Sequence, residues 1–208
     1  MMELFHPESK FMETLNKITD MMILNVLFIL TSIPVITLGA SATAMYTVTM
    51  RLSRQEDVSL MKEYFQAFRA NLKKGTILWM ILLLAGAVIL GETWLLLILN
   101  LPIRSFLLLL QGGLILFYLS TLFFAFPLLA EGKGTVKDVL HEASAMPFQR
   151  FPEFLALMAI HLLPALFTGL LFPYIPNIFM IWGFVGFSVS AYMASLVLKR
   201  IFGEKAEE

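Results

Sequence analysis

The 208-residue chain has no cysteine. That excludes disulfides, thiol catalysis and thiolate metal sites. Charge is scarce too: Asp, Glu, Lys and Arg make up 14% of the residues, where soluble domains carry about 25%. Basic and acidic residues cancel at 15 each, so no bulk charge recruits nucleic acid, and none is expected as a partner. The three histidines, His6, His141 and His161, stand far apart, which argues against a local histidine metal site. HExxH, GxSxG and the phosphate-binding GxxxxGK are all missing, and no paired acidic motif lies within the apolar segments. The expectation is a protein that is not an enzyme, with no catalytic residue, no cofactor and no metal.

Apolar sequence is abundant. Hydrophobic residues reach 59%, with 19 phenylalanines and 13 methionines. Four stretches carry no Asp, Glu, Lys or Arg: 21–50, 75–91, 105–130 and 154–198. A helix needs about 20 apolar residues to cross a bilayer. The fold class expected is therefore all-α, a polytopic transmembrane bundle of about five spans in contact with membrane lipid. It forms a single transmembrane domain over 1–208. Residues 1–20 are an interfacial segment, in which Phe11, Met12, Leu15, Ile18 and Met22 recur at helical spacing opposite Glu13, Asn16, Lys17 and Asp20. The acidic residues Glu3, Glu8, Glu13 and Asp20 outnumber Lys10 and Lys17, the reverse of a signal-peptide start.

As one helix, the run 21–50 would be about 45 Å long, against a hydrocarbon core of about 30 Å. Pro34 lacks an N–H and disfavours helix at Ile33. The expectation is a helix to about Ser32, a break over 33–39 shaped by Pro34 and Gly39 and facing the bundle interior, and a second helix over 40–52. The polar loop 51–74 carries one amphipathic helix whose apolar stripe is Val58, Met61, Phe65, Phe68 and Leu72, with Lys62, Gln66, Arg69 and Lys73 turned away. That stripe fits lipid, the chain's own bundle or a groove in a partner, with Phe65 and Phe68 as candidate partner contacts. Further spans are expected over 75–99, with Trp79 and Trp94 as interfacial anchors, and over 103–130, 153–172 and 178–198. A second amphipathic helix should occupy the loop 131–152, over 135–146. The two halves thus share an architecture rather than residues.

Six Lys or Arg fall in 51–74, three in 131–152 and three after residue 198, against one near residue 100 and none near residue 175. Basic loops stay cytoplasmic. Both polar loops and the C-terminus are expected inside, in the cell membrane. Five crossings put the N-terminus outside, and a re-entrant first segment would put it inside. Two candidates form an intramembrane polar site. His161 lies mid-span, where an ionisable group is either functional or a neutral imidazole bonded to a neighbouring helix, and Asn25 suits an interhelical hydrogen bond, as does Gln111. Gly186, Ser190 and Ala194 repeat every four residues, a spacing that lets helices approach closely.

Leu4-Phe5, Phe11-Met12, Leu15-Asn16, Asp20 and Leu24-Asn25, then residues 34–40 (PVITLGA), 43–46 (TAMY), Phe65, Ala67-Phe68 and Asn71-Leu72-Lys73, give the first 75 residues a pattern. It resembles the YesL-like family, multi-pass membrane proteins of unknown function from Gram-positive bacteria. The resemblance implies a neighbourhood of sugar-binding lipoproteins, ABC permeases and glycan-degrading enzymes. It therefore implies an accessory or regulatory subunit of a carbohydrate (oligosaccharide) ABC importer, with the permease or ATPase as partner. Importer permeases carry a loop that opens Glu-Ala-Ala with a glycine six residues after the Glu. Here Glu142-Ala143-Ser144 is followed by Phe148 at the glycine position, which argues against a standard permease. Two alternatives stay open: a self-standing small-solute transporter or channel, and a membrane-embedded regulator of a signalling protein.

Overall fold

The computed structural model describes residues 10–99, 103–132 and 134–204. Glu3, Leu4, Phe5, His6 and Glu8 of the residues quoted above lie outside them. Among the described residues seven α-helices follow one another: α1 (Lys10–Ser32), α2 (Leu38–Ser53), α3 (Leu60–Ile98), α4 (Arg104–Ala130), α5 (Val136–Gln149), α6 (Phe151–Leu171) and α7 (Phe187–Glu204). No strand occurs among the described residues. Among the described residues, five segments are long and apolar enough to cross a membrane: Thr14–Ser32, all of α3, α4 and α6, and Pro176–Phe202. The chain is an all-α, membrane-spanning bundle. Its outward residues, such as Leu84, Leu90, Leu109, Leu166 and Phe167, are the large apolar side chains that lipid solvates.

The break falls where proline chemistry puts it. Pro34 is extended (φ −73°, ψ 103°) and leads into one turn of 3-10 helix, Val35–Thr37. A break in lipid must cover the carbonyls it frees. Thr37 does so locally: its hydroxyl donates to the Thr31 carbonyl at 2.6 Å and the Pro34 carbonyl at 2.8 Å. Because the cover is local, the break does not turn inward. Ile33, Val35 and Ile36 are exposed, against the expected interior position.

The centre of the bundle is α2, which packs against α3, α4 and α7, with α1 alongside. It is the most buried helix and among the less apolar. Ser41, Thr43, Thr49 and Ser53 are all buried. Their hydroxyls are satisfied, Ser41 by Thr37 O, Thr43 by Gly39 O, Ser53 by Met50 O, and Thr49 by the hydroxyl of Ser195 on α7, 2.8 Å away. Gly39 belongs to the first turn of this helix, not to the break. A Cβ on Gly39 would fall on the Gly75 carbonyl oxygen, and one on Gly75 would lie 2.8 Å from Ala40 Cα. The two glycines let the backbones of α2 and α3 touch.

The expected polar helix and second span are one element. α3 runs 39 residues, about 58 Å at 1.5 Å per residue, nearly twice a hydrocarbon core of about 30 Å. Lys73-Lys74-Gly75 looks like a helix stop, but Gly75 is kept for close approach and the helix continues through it. The inward residues of α3 are Tyr64, Ala67, Gly75, Leu78 and Leu82. Met61, Phe65 and Leu72 of the apolar stripe remain exposed, while Val58 and Phe68 pack partly against the core.

The arginine-rich end is tied by charge. Arg51 pairs with Glu56 at 2.7 Å and with Glu63, and Arg54 pairs with Glu131. Lys199 Nζ donates to the Ser53 carbonyl at the end of α2, where a helix carries partial negative charge. After α4, Gly132 and Gly134 adopt positive φ (75° and 66°). The next helix begins with a capping box, in which Thr135 N–H donates to Asp138 Oδ2 at 2.7 Å and Asp138 N–H donates back to the Thr135 hydroxyl. The bonds donated to the carboxylate, from the Thr135 N–H first and the Thr135 hydroxyl (2.8 Å) second, hold the Asp138 carboxyl below its ordinary value.

Candidate functional site

Where α2, α3, α4, α6 and α7 meet, they leave an open cavity of about 400 Å³. Its walls include Tyr46 of α2, Trp79 of α3, Phe123 of α4 and His161 of α6, with Trp182 and Ser190 from the last span. No Asp, Glu, Lys or Arg lines it. The wall is rich in aromatic rings, and two of its polar side chains form a pair.

That pair is Tyr46 and His161. His161 Nδ1 lies 2.8 Å from the Leu157 carbonyl, one turn earlier on α6. A carbonyl only accepts, so Nδ1 carries the proton. Nε2 of the neutral ring is then an acceptor, and the Tyr46 hydroxyl, 3.0 Å away, donates to it. Phe123 stacks on the imidazole at 4.9 Å between centroids. With its O–H engaged in the bond to His161, the Tyr46 oxygen keeps its lone pairs free to accept.

Asn25 is fully buried and lies at a different place, against the start of α7. Between Trp182 and Gly186 the chain makes a π-helical turn, in which the backbone ladder slips by one residue. Asn25 Nδ2 donates to the carbonyls of Trp182 (3.0 Å) and Gly183 (2.7 Å), and the Ser188 N–H donates to Asn25 Oδ1 at 3.1 Å. Ser188 Oγ completes the clasp on the Met21 carbonyl at 2.7 Å. One amide thus serves groups on both sides of the π turn. Gln111 bonds the Ile89 carbonyl and Thr93 across α3 and α4.

The structure does not gather the sequence candidates into one site. His161 is in the cavity wall, Asn25 holds the π turn, Pro34 shapes the break before α2, Gly39 lies within α2 against Gly75, and Phe65 and Phe68 lie on the first half of α3. Gly186, Ser190 and Ala194 split: Ala194 is buried in the core, Ser190 lines the cavity, and Gly186 lies under the Trp182 ring. Trp94 is exposed on the outside of α3, but Trp79 turns inward. Its buried indole N–H has no acceptor among the described residues. Sequence reasoning misses Tyr46, Trp79 and Trp182 as site residues. The available signal is the hydroxyl-rich stretch 37–49, unusual for a helix that faces lipid.

No curated protein and no solved structure matches the chain. Residues 21–92, from the buried half of α1 through the break and α2 to Glu92 on α3, match the family model described as protein of unknown function, DUF624. That span holds Asn25, Pro34, Gly39, Tyr46, Gly75 and Trp79 and ends well before His161. It agrees with the YesL-like resemblance of the first 75 residues: the chain is a membrane-spanning helical protein with a DUF624 domain.

Proposed function

We propose that the chain is a non-enzymatic subunit of the cell membrane that docks another membrane protein through the polar half of α3, and that the partner is the permease or ATPase of a carbohydrate ABC importer. The supporting observation is the phase of that helix. Tyr64 and Ala67 face the bundle, whereas Met61, Phe65 and Leu72 are exposed beside Lys62, Arg69 and Lys73. The chain's own core takes up Val58 and Phe68 in part and leaves Met61, Phe65 and Leu72 of the apolar stripe uncovered, and aromatic and long apolar side chains on one helix face are what a partner groove takes up. Support for the importer is the YesL-like resemblance, and the basic residues favour a cytoplasmic position for this half of α3 and for the C-terminus.

Purification of the tagged chain from native membranes tests the reading. Importer subunits should be recovered in a fixed ratio with the wild type. They should be lost with Met61→Ala and Phe65→Ala together, while the melting temperature in detergent is unchanged. Undiminished recovery with the double variant would sink the docking surface. Recovery of a sensor protein instead would move the reading to a signalling regulator. A second reading, a self-standing carrier of small solutes, is favoured by the cavity at Tyr46 and His161. Solute uptake by the purified chain alone in liposomes would support it.

A further inference from the structure

We infer that the cavity at Tyr46 and His161 is a binding site for a neutral lipid carrying a free hydroxyl, taken up from the surrounding membrane. This goes beyond docking through α3 and does not depend on it.

The wall chemistry selects the ligand by exclusion and by fit. A carboxylate, phosphate or ammonium would enter a cavity with no opposite charge, and an unpaired ion in apolar surroundings is costly. A free sugar fares little better, because each hydroxyl buried without a partner loses its hydrogen bonds to water. The wall offers few polar groups, chiefly the Tyr46 oxygen and the Ser190 hydroxyl. Aromatic rings make up much of the rest, which suits an apolar body. At about 30 Å³ for each methylene-sized group, close to the volume share of one water, a cavity of about 400 Å³ holds roughly a dozen carbons.

The polar pair then fixes the head group. The chain of bonds from Tyr46 to His161 Nε2, and from Nδ1 to the Leu157 carbonyl, uses the tyrosine proton and leaves the tyrosine oxygen as acceptor. A ligand hydroxyl donates to it. The Ser190 hydroxyl, on the same wall and with no bond to another described residue, can donate to the ligand oxygen in return. Access runs along α6, where Ala165 lines the cavity and is itself exposed within a membrane-spanning segment.

The test uses the full chain in phosphatidylcholine nanodiscs and a diazirine-bearing analogue of 1-tetradecanol as probe. Crosslinking should saturate, map to peptides around Tyr46 and His161, and be competed by unlabelled 1-tetradecanol. Tetradecanoate and maltose should compete poorly. Ala165→Trp, which fills the mouth from an exposed position, should abolish the saturable part. Tyr46→Phe keeps the ring and removes the acceptor, and should weaken competition by the alcohol about threefold to tenfold, the size of one neutral hydrogen bond. Equal crosslinking with Ala165→Trp would mean labelling of the lipid-facing surface only and would overturn the site. Competition by tetradecanoate or maltose as strong as by the alcohol would overturn the ligand class. Should Ala165→Trp fail to fold, unsaturable labelling of the wild type or unaltered affinity in Tyr46→Phe overturns the proposal by itself.

Discussion

Gly39 and Gly75 face each other where α2 meets α3, and neither has room for a methyl group. The neighbours that a Cβ would strike are backbone atoms and the Trp79 Cβ, which cannot step aside as the far end of a flexible side chain can. Each glycine therefore sets the distance between the two helices that build the centre of the bundle.

Gly39→Ala and Gly75→Ala should each destabilise the protein by about 1–3 kcal/mol or more, the usual range for overpacking. Gly91 and Gly112 meet nothing within 4 Å of an added Cβ. At these positions alanine should be neutral or slightly stabilising, since glycine costs about 0.5–1 kcal/mol inside a helix. Thermal melting of the four variants in one detergent checks the contrast. A Gly39→Ala protein as stable as Gly91→Ala would contradict the close approach.

Asn25 gives a second measurement. Asn25→Leu would leave two carbonyls and one N–H at the π turn without their partner. The expected loss is about 1–3 kcal/mol, given that hydrogen bonds in membranes average about 0.6 kcal/mol and buried orphans cost more. Asn25→Asp should fall on the same side, because a carboxylate can accept from Ser188 but cannot donate to Trp182 and Gly183. If the Asn25→Asp protein matched wild type, by melting or by hydrogen exchange at residues 182–188, the donated bonds would carry no weight.

The capping box of α5 predicts a pH dependence with a definite sign. The folded chain holds the Asp138 carboxyl below its unfolded value, so the unfolded state takes up the proton first. The resulting stabilisation is complete above the ordinary aspartate value of about 3.9. It is lost as pH falls through the lower folded value. Hydrogen exchange in the first turn of α5 should show Asp138→Asn less protected than wild type at pH 6, with the gap closing towards about pH 3. A gap that widens on acidification would refute the assignment.

Topology can be tested on a clean background, since the chain has no native cysteine. Cysteines introduced at Gln55 and Gly134 should be protected from an impermeant maleimide in intact cells, and one at Asn177 should react. Labelling of the first two from outside would reverse the orientation read from the basic loops.

The boundary at Ser32 is legible in the sequence because a proline acts on its own neighbours, whatever the tertiary fold, while α2 starts at Leu38, two residues before the expected start. The outer ends of α4 and α6 are legible for a similar reason, since charged residues and prolines mark them locally. Gly39 misleads because a glycine five residues after a proline resembles part of the same break, and only the approach of Gly75 reveals its use. The stripe on α3 is visible in the sequence, but the bundle buries the neighbouring face at Tyr64 and Ala67. In a soluble helix the most apolar face turns inward. In a membrane, lipid is as apolar as leucine, and small or hydroxyl-bearing residues mark the inside instead. The cavity is illegible for a plainer reason: Tyr46, Trp79, His161 and Trp182 come from four separate helical elements that meet only in the folded chain.

The burial of α2 also constrains how the protein can be made. Thr49 finds Ser195, and the Ser53 carbonyl finds Lys199, each 146 residues later in the chain. During synthesis α2 leaves the ribosome long before α7 exists, with a hydroxyl-bearing surface poorly suited to lipid. Its early neighbour is α3, through the Gly39–Gly75 contact. The cover over α2 is therefore completed only when α7, the last helix, is in place.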